Sequence, residues 1–252
     1  MKVLAVIPAR FASTRFPGKP LAQLGGKPII QWVWECVAQM PALADAVVAT
    51  DDERIADAVR QFGGQAMMTS TSHRSGTDRC GEVLQKLEAQ GKQYDVVINV
   101  QGDEPFTKHS QLQSLIDCFA VAETQIATLK TAIRSQEELL SPNNVKVICN
   151  AQGKAVYFSR QPIPYLRGVE VDKWLDCQKY YKHVGIYAFR AEVLKQVVKL
   201  EASPLEVSES LEQLRWLENG YAIGVRETEQ ANIGIDTPDD LAKAEEVIKN
   251  IK

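Results

Sequence analysis

Short runs of β-branched apolar residues alternate along this chain with longer amphipathic segments, and this alternation restricts the possible folds more than any other feature. Three runs, Val3–Ile7, Ala46–Thr50 and Val96–Val100, have the length and composition of buried strands. Strands separated by helical segments typically pair in parallel, because the helix brings the chain back across the sheet. The pattern therefore predicts an α/β chain built on a mostly parallel sheet.

The amphipathic segments carry apolar residues at helical spacing. Between the second and third predicted strands, one stripe consists of Ile55, Ala58, Val59 and Phe62. A second stripe consists of Val83, Leu84 and Leu87, with Asp78 near its start as a cap. A third helix is predicted directly after Pro28, which suits a first helical turn, with apolar residues at Ile29, Ile30, Val33 and Val37. We expect these helices to cover both faces of the central sheet.

After about residue 125 the pattern changes to alternating apolar positions, which favour antiparallel or mixed strands. The runs are Ile126–Ile133, Val145–Cys149, Ala155–Phe158 and His183–Phe189. We predict one domain over residues 1–252, with a smaller mixed-sheet part at 125–190.

Near the end of the chain, Ile233–Ile235 predicts a short strand. Thr237 is a good N-cap for the helix that follows, with Pro238 at its first position and Asp240 at its third. This helix is expected to end near Lys249.

Charge and composition exclude several classes of function. The 252 residues carry a net charge of −3, with 45% hydrophobic and 24% charged residues, as in an ordinary globular protein. An acidic chain has no general attraction for nucleic acid or for an anionic membrane surface. The five cysteines form no CxxC pair, and no apolar run approaches the roughly 18 residues of a membrane span. We therefore expect a cytoplasmic protein without disulfides, structural zinc, or a nucleic-acid or membrane partner.

The first 34 residues carry only positive charges, at Lys2, Arg10, Arg15, Lys19 and Lys27. This segment therefore has a charge of +5, and because the total is −3 the remaining chain has −8. Three of the cations lie in a loop, residues 8–21, directly after the first predicted strand, where open α/β sheets bind ligands. The loop matches neither a Walker A motif nor a GxGxxG fingerprint. It predicts a site for a small, highly charged anion such as a phosphate, the alternative being a solvated basic loop.

Two aspartates follow predicted strands and should emerge at the same edge of the sheet. Asp103 comes shortly after the run Val96–Val100, and Asp236 follows Ile233–Ile235. Paired carboxylates, together with phosphate oxygens, form the oxygen environment that Mg²⁺ favours. The alternatives are a helix cap for Asp236 and a turn residue before Pro105 for Asp103. Their occurrence with the cationic loop favours a magnesium site.

Eight sequence blocks occur in order along nearly the whole chain. They are PARFASTRFPGKPL (8–21), ATDDERI (49–55), TSTSHRSGTDR (69–79), VQGDEP (100–105), YFSRQPIPY (157–165), HVGIYAFR (183–190), SLEQLRWLENG (210–220) and GIDTPDDL (234–241). Together they resemble the cytidylyltransferases that activate 3-deoxy-manno-octulosonate (KDO), a sugar acid of lipopolysaccharide. The first block is shared with related enzymes that act on sialic acid, whereas the later blocks are far more specific.

The resemblance implies a GT-A-like nucleotidyltransferase fold, with a mostly parallel central sheet, helices on both faces and a smaller mixed-sheet part. It also implies the reaction of CTP with KDO to give CMP-KDO and pyrophosphate, with Mg²⁺ as cofactor, for lipopolysaccharide biosynthesis. Lys19, Asp103 and Asp236 would be catalytic, and the two aspartates would hold the metal. Members of the family are similar in being homodimers. This implies that 125–190 is the sugar-binding and dimerisation part, with the subunit contact in 155–190.

The resemblance also implies two sets of binding residues. The nucleotide-binding residues are Arg10, Ser13, Arg15, Lys19, Thr71, Arg74, Ser75 and Arg79. The residues for the sugar acid are Gln101, Arg160, His183, Tyr187, Glu212 and Gln213. Arg160 could pair with a carboxylate through two parallel hydrogen bonds, which a lysine could not. For His183 the alternative is a hydrogen-bonded core histidine, and for Glu212 a solvated helix face.

Three alternative functions remain open on the sequence. The first is a cytidylyltransferase for a related sugar acid, either 8-amino-KDO or a sialic acid, because Leu166–Lys182 departs from the family pattern. The second is a sugar-1-phosphate nucleotidyltransferase, although Arg160 favours a carboxylate acceptor. The third is a non-catalytic nucleotide-binding protein, against which the retention of Lys19 with both aspartates argues.

Overall fold

The computed structural model describes residues 1–12, 15–229 and 234–251. The strands are β1 (Val3–Ala9), β2 (Gln23–Leu24), β3 (Lys27–Pro28), β4 (Asp45–Thr50), β5 (Ala66–Met68), β6 (Val96–Asn99), β7 (Ile126–Ala132), β8 (Lys146–Cys149), β9 (Ala155–Ser159), β10 (Tyr181–Arg190) and β11 (Ile223–Glu227). The helices are α1 (Ile29–Ala38), α2 (Glu53–Gln61), α3 (Gly76–Ala89), α4 (His109–Cys118), α5 (Gln136–Leu140), α6 (Trp174–Cys177), α7 (Ala191–Val197), α8 (Pro204–Glu209), α9 (Glu212–Glu218) and α10 (Pro238–Ile251). Short 3-10 turns lie at Lys19–Leu21 and Val171–Lys173.

The central sheet has the strand order β11-β7-β10-β6-β1-β4-β5. β1 pairs in parallel with β4 and with β6, so that Ala5 lies between Ala46 and Ile98. β4 and β5 are parallel, as are β7 and β11, whereas β10 is antiparallel to both β6 and β7. The prediction of a mostly parallel sheet is confirmed, and the three strands predicted first correspond to β1, β4 and β6.

Helices cover both faces of the sheet because alternate residues of a strand point to opposite sides. Val3, Ala5 and Ile7 of β1 pack in one core with α1, α2 and α4. Leu4 and Val6 pack in a second core with α3, α7 and α9. The predicted coverage of both faces is therefore confirmed, and the loops that follow the parallel strands meet at one edge of the sheet.

Residues 125–190 extend the central sheet instead of forming a separate one. β7 and β10 pair along most of their length, with an irregularity between Val184 and Tyr187. β8 and β9 form an antiparallel hairpin, which joins the sheet through the pairing of Lys146 with Lys182 of β10. The alternating apolar pattern thus identifies strands correctly, while their sheet partners include strands from the first half of the chain.

The C-terminal segment packs on a small core of its own, separate from the two faces of the sheet. This core joins α10 to the start of α1 and to β2. Its buried members are Leu24, Ile29, Ile235, Ala244 and Ile248.

The predicted start of the C-terminal helix is confirmed. α10 begins at Pro238, the Asp240 N–H donates to Thr237 Oγ1 at 3.2 Å, and Asp240 accepts from the Thr237 N–H at 3.0 Å. This reciprocal pair is a capping box. Of the predicted strand Ile233–Ile235, Ile233 lies outside the described residues, and Gly234 and Ile235 are not in a strand.

Among the residues described, every helix is too short or too polar to cross a membrane. The five cysteines all lie in the described ranges, and none of them forms a disulfide.

Candidate active site

A cavity of about 390 Å³ opens at the carboxyl ends of β1 and β6. We call it the first cavity. The loop after β1, the start of α3 and the turn after β6 line most of it. Its polar and charged lining residues are Arg10, Arg15, Lys19, His73, Arg74, Ser75, Thr77, Arg79, Asn99, Gln101, Asp103, Tyr187, Glu212 and Asp236. The cationic loop and both predicted aspartates therefore meet in one cavity, at the sheet edge where a ligand was predicted.

Lys19 lies between the two aspartates. Its Nζ is 2.5 Å from Asp103 Oδ2 and 3.1 Å from Asp236 Oδ1, and only 9% of the residue is exposed. Arg15 lies 3.1 Å from the second oxygen of Asp236. Two carboxylates and two cations thus form one charge-compensated cluster at the edge of the first cavity.

The same geometry tests whether Asp103 and Asp236 fit a divalent cation. One nitrogen reaches both carboxylates, so the two side chains converge on a single cation position, and Mg²⁺ is commonly held by one or two carboxylates plus substrate phosphates. In the described part of the chain, no group of three or more His, Cys, Asp or Glu side chains converges as a metal site. The residues therefore fit a cation that takes its other ligands from a substrate.

Two glycines allow the loops to bring this cluster together. Gly18 adopts a left-handed conformation, with φ of 72°, and begins the 3-10 turn that carries Lys19. A Cβ on Gly102 would lie 2.6 Å from the Pro8 carbonyl oxygen, closer than real Cβ contacts allow. Gly102 is therefore required for the turn that places Asp103 against the end of β1. The Ile235 N–H donates to the Asp103 carbonyl at 3.0 Å and brings Asp236 alongside.

The N-terminus of α3 forms another wall of the first cavity. Ser75 caps this 14-residue helix by accepting from the Asp78 N–H, and Asp78 completes a capping box. Asp78 therefore has a capping role as predicted, but the N-cap itself is Ser75. The positive end of the helix dipole and exposed Arg74 face a cavity that already holds Arg10 and Arg15, which favours a polyanion there.

The remaining predicted nucleotide residues differ in placement. Arg79 lines the cavity, but it is 3% exposed and its guanidinium donates to Asp51 at 2.6 Å and to Thr69 at 2.7 Å. Its charge is thus satisfied within the chain. Thr71 is exposed in a turn outside the lining of the first cavity, and Ser13 lies outside the described residues.

A second cavity of about 440 Å³ adjoins the first. The two share four lining residues, Gln101, Asp103, Tyr187 and Asp236. The second cavity is also lined by Glu104, His183, Gly185, Ser210, Leu211, Gln213 and Gly234. Four of the six residues predicted for the sugar acid, namely Gln101, His183, Tyr187 and Gln213, therefore meet here, and the aspartate pair stands at the junction of the two cavities.

His183 is both a hydrogen-bonded histidine of the core and a residue of the second cavity, the two placements that its sequence position left open. Its Nε2 is 2.9 Å from Thr128 Oγ1, and its ring packs edge-on against Phe158. Burial lowers the pKa of His183 to about 3. The side chain is therefore a neutral, hydrogen-bonded histidine that also lines the second cavity, and it does not act as a cation at neutral pH.

Glu212 lies in the first cavity and not on a solvated helix face. It begins α9, and the Thr77 hydroxyl donates to its Oε2 at 3.0 Å. Burial raises the pKa of this carboxyl to about 7, against the effect of hydrogen bonds from Ser75 and Thr77. Glu212 therefore connects α9 to the capped end of α3 and carries a proton over much of the range below neutral pH.

Arg160 lies outside the linings of both cavities. Its guanidinium donates to three backbone carbonyls, those of Glu209 at 2.6 Å, Pro142 at 3.0 Å and Ser210 at 3.2 Å. The structure therefore does not bring Arg160 together with the other residues predicted for the sugar acid.

Sequence reasoning missed Asn99 as a site residue. It is the last residue of β6, it is buried, and it lines the first cavity. Its Oδ1 has no hydrogen-bond partner among the described residues. A polar residue at the carboxyl end of a predicted parallel strand is the signal that could identify it.

Comparison with known proteins finds relatives over nearly the whole chain. A family model described as Cytidylyltransferase matches residues 4–229. A protein of Parabacteroides distasonis named 3-deoxy-manno-octulosonate cytidylyltransferase is 56% identical over 248 residues, which is 97% of each chain. A protein of the same name from Phocaeicola vulgatus is 55% identical over 252 residues, covering 99% of this chain and 98% of the relative.

Two solved structures share the fold of this chain. CMP:2-keto-3-deoxy-manno-octonic acid synthetase in complex with CTP matches with a TM-score of 0.91 at 42% identity, and 100% of each chain is covered. A 4-diphosphocytidyl-2C-methyl-D-erythritol synthase from Anaerococcus prevotii matches with a TM-score of 0.60 at 15% identity, over 98% of this chain and 96% of that one. The second match shows a shared fold alone.

Proposed function

The chain belongs to the family of 3-deoxy-manno-octulosonate cytidylyltransferases, and we propose that it transfers the cytidylyl group of CTP to KDO, giving CMP-KDO and pyrophosphate. The observation that carries this proposal is the position of Lys19 with Asp103 and Asp236, at the junction of two adjoining cavities. A transfer between two bound substrates needs such a junction, because the attacking and reacting atoms must meet there.

The first cavity is the site for CTP. Arg10, Arg15 and Lys19 supply positive charge, and the N-terminus of α3 supplies backbone N–H groups. These groups surround the triphosphate and stabilise the negative charge that develops on it during the reaction. Arg74 lies beside the same helix end. Lys19 is the residue best placed to stabilise charge in the transition state, because it is buried and reaches the junction of the cavities.

The second cavity is the site for the sugar acid. Gln101, His183, Tyr187 and Gln213 offer hydrogen-bond donors and acceptors to a polyhydroxylated ring. In the reaction, the anomeric 2-hydroxyl oxygen forms a bond to the α-phosphorus, the bond to the β-phosphate breaks, and the hydroxyl proton is released. The protein contributes mainly by aligning the two substrates and compensating charge.

Asp103 and Asp236 are proposed to hold Mg²⁺ together with phosphate oxygens, since both carboxylates converge on one cation position. When bound, the ion would compensate phosphate charge and lower the pKa of the attacking hydroxyl. Lys19 and Arg15 remain available to the triphosphate.

The function is tested by measuring pyrophosphate release with CTP, Mg²⁺ and KDO. Matched reactions replace CTP with UTP, and KDO with 8-amino-KDO, N-acetylneuraminate or a sugar 1-phosphate. Turnover that requires both CTP and KDO is expected. Turnover of another sugar acid but not KDO would contradict the proposed substrate, and CTP binding without turnover of any acceptor would favour a non-catalytic nucleotide-binding protein.

Asparagine substitutions test the aspartate pair. Asp103→Asn and Asp236→Asn should each lower the rate of pyrophosphate release by about a hundredfold or more, because each removes charge at the reacting phosphate. Asp239→Asn, in the exposed first turn of α10, is the matched control and should retain the wild-type rate. Near-wild-type rates for both site variants, with the Mg²⁺ dependence unchanged, would contradict the assignment of these carboxylates to the metal.

We also propose a cytoplasmic homodimer that serves lipopolysaccharide synthesis. Val156, Tyr165 and Val171 are exposed apolar residues, and together they supply apolar surface within 155–190 for a subunit contact. Analytical ultracentrifugation of the chain and of Tyr165→Lys tests the contact: a dimer that dissociates on this substitution is expected. A monomeric wild-type chain would contradict it, and cell fractionation tests the location.

A further inference from the structure

A fully buried lysine, Lys146, lies outside the linings of both cavities. Lys146, on β8, is 0% exposed, and its Nζ donates to the carbonyl oxygens of Ser141 at 2.9 Å and of Arg160 at 2.5 Å. A buried charge is costly unless it is hydrogen-bonded and compensated by an opposite charge. Burial lowers the pKa of Lys146, and nearby Glu209 opposes that effect. Lys146 thus ties the end of β9 to the loop after α5.

Glu209 and Arg160 are joined by reciprocal contacts, in which the side chain of each residue binds the backbone of the other. The Glu209 carboxylate accepts from the Ser159 hydroxyl at 2.7 Å and from the Arg160 N–H at 2.9 Å. In return, the Arg160 guanidinium donates to the carbonyls of Glu209, Ser210 and Pro142. Four hydrogen bonds therefore join the end of α8 to Ser159 and Arg160 at the end of β9, and a fifth joins Arg160 to the loop after α5.

The fixed segment leads directly into the walls of both cavities. Ser210 has a left-handed backbone with φ of 51°, a strained conformation for a residue with a side chain. Such strain persists where surrounding contacts impose it. The next residues face the site: Ser210, Leu211 and Gln213 line the second cavity, and Glu212 lines the first.

We infer that Lys146, Arg160 and Glu209 form a clamp that sets the position of residues 210–213, and that they are positioning residues for the sugar acid without contacting it. The inference rests on the proposed function for the identity of the substrate. It assigns Lys146 and Glu209 a role in the reaction, and it replaces the predicted contact between Arg160 and the substrate carboxylate.

The contacts of Arg160 favour the clamp over a direct carboxylate contact. Three of its five N–H groups, one on each nitrogen, are already hydrogen-bonded to carbonyls of the chain, and the residue lines neither cavity. Rotating the guanidinium into the second cavity would break these contacts and release Ser210, which forms part of the cavity wall.

The kinetic test uses Arg160→Ala and Glu209→Gln, singly and together. The glutamine keeps the shape of Glu209 but turns an amide group toward a backbone N–H or a hydroxyl. Each single variant should raise the KM for the sugar acid by about tenfold to a hundredfold, because small displacements of positioning groups have effects of that size. The KM of the double variant should be no higher than that of the more impaired single variant, since both substitutions open the same clamp. Arg226→Ala, exposed on β11, is the control and should leave the KM unchanged.

A neutral analogue separates positioning from direct contact. Inhibition by the primary carboxamide of KDO is measured in the wild type and in Arg160→Ala. A clamp predicts that KDO and its carboxamide lose affinity by the same factor. A direct contact predicts that KDO alone loses affinity and that Glu209→Gln binds KDO normally, and that result would overturn the inference.

Hydrogen exchange tests the clamp without any substrate. Both single variants should exchange faster than the wild type in peptides covering residues 206–214, with no change in peptides from β1. Unchanged exchange in both variants would overturn the clamp. If the wild-type chain does not turn over KDO, the proposed function fails, while the exchange result still decides whether the clamp exists.

Discussion

Glu212 makes the stability of the chain depend on pH in a direction opposite to that of most carboxyl groups. Burial is the main cause that raises its pKa from 4.5 to about 7, and the charge of Asp78 adds to it. The difference between these two values corresponds to roughly 3 kcal/mol of preference for the protonated form in the folded chain. Replacing Glu212 by glutamine removes the titrating proton but keeps an oxygen that can accept from Thr77.

The direction of this pH dependence is set by how many protons the folded and unfolded chains bind. Unfolded Glu212 releases its proton near pH 4.5, whereas the folded chain keeps it until about pH 7. The stabilising contribution is therefore complete below pH 4.5 and is lost as the pH rises through 7. Between pH 5 and pH 8, the wild type should lose roughly 2 to 3 kcal/mol of unfolding free energy relative to Glu212→Gln.

Urea unfolding of both proteins at several pH values between 5 and 8 measures this difference. Subtracting the two curves removes the contributions of other titrating groups that the substitution leaves in place. Glu218→Gln, at the exposed end of the same helix, is the matched control and should run parallel to the wild type. If the curves of Glu212→Gln and wild type also run parallel across this range, the inference that burial holds the proton on Glu212 is wrong.

Two further substitutions test how the site is built. Gly102→Ala should lower the unfolding free energy by about 1–3 kcal/mol, because its Cβ would meet the Pro8 carbonyl oxygen at 2.6 Å. Gly224→Ala, whose Cβ would make an ordinary contact at 3.6 Å, is the control in the same urea titration, and equal losses would contradict the steric explanation. Arg79→Met should cost about 3–5 kcal/mol without CTP, because it leaves the largely buried Asp51 carboxylate uncompensated. A loss of CTP affinity at unchanged stability would instead give Arg79 a purely nucleotide-binding role.

Sequence patterns were sufficient to predict the parallel sheet and the meeting of the loops after β1 and β6. Both predictions have the same physical reason. Parallel strands place their carboxyl ends at one edge, so the loop after β1 and the turn after β6 had to meet there. That constraint brings Lys19 next to Asp103 although 84 positions separate them in the chain. The pattern of short apolar runs thus predicts that the two loops lie at one edge of the sheet, and the contact itself is seen only in the structure.

The same patterns could not decide between competing partners for a charged side chain. The motif around Arg160 shows a guanidinium suited to a carboxylate, but its nearest acceptors are carbonyls of Pro142, Glu209 and Ser210. Two of these lie about fifty positions away, at a helix end whose location depends on tertiary packing. Glu212 was missed as a buried group for a similar reason, because the helical spacing of its neighbours does not reveal that α3 covers it.

We expect the active site to lose its structure at a lower temperature than the sheet, because the segment that carries Asp236 packs on a small core of its own. Segments held by fewer buried apolar contacts open at lower free energy than the main core. When this segment opens, Asp236 leaves Lys19, its partner at a separation of 217 positions. We therefore expect warming to inactivate the enzyme reversibly while the sheet is still intact, and substrates that bind across the junction to delay the inactivation.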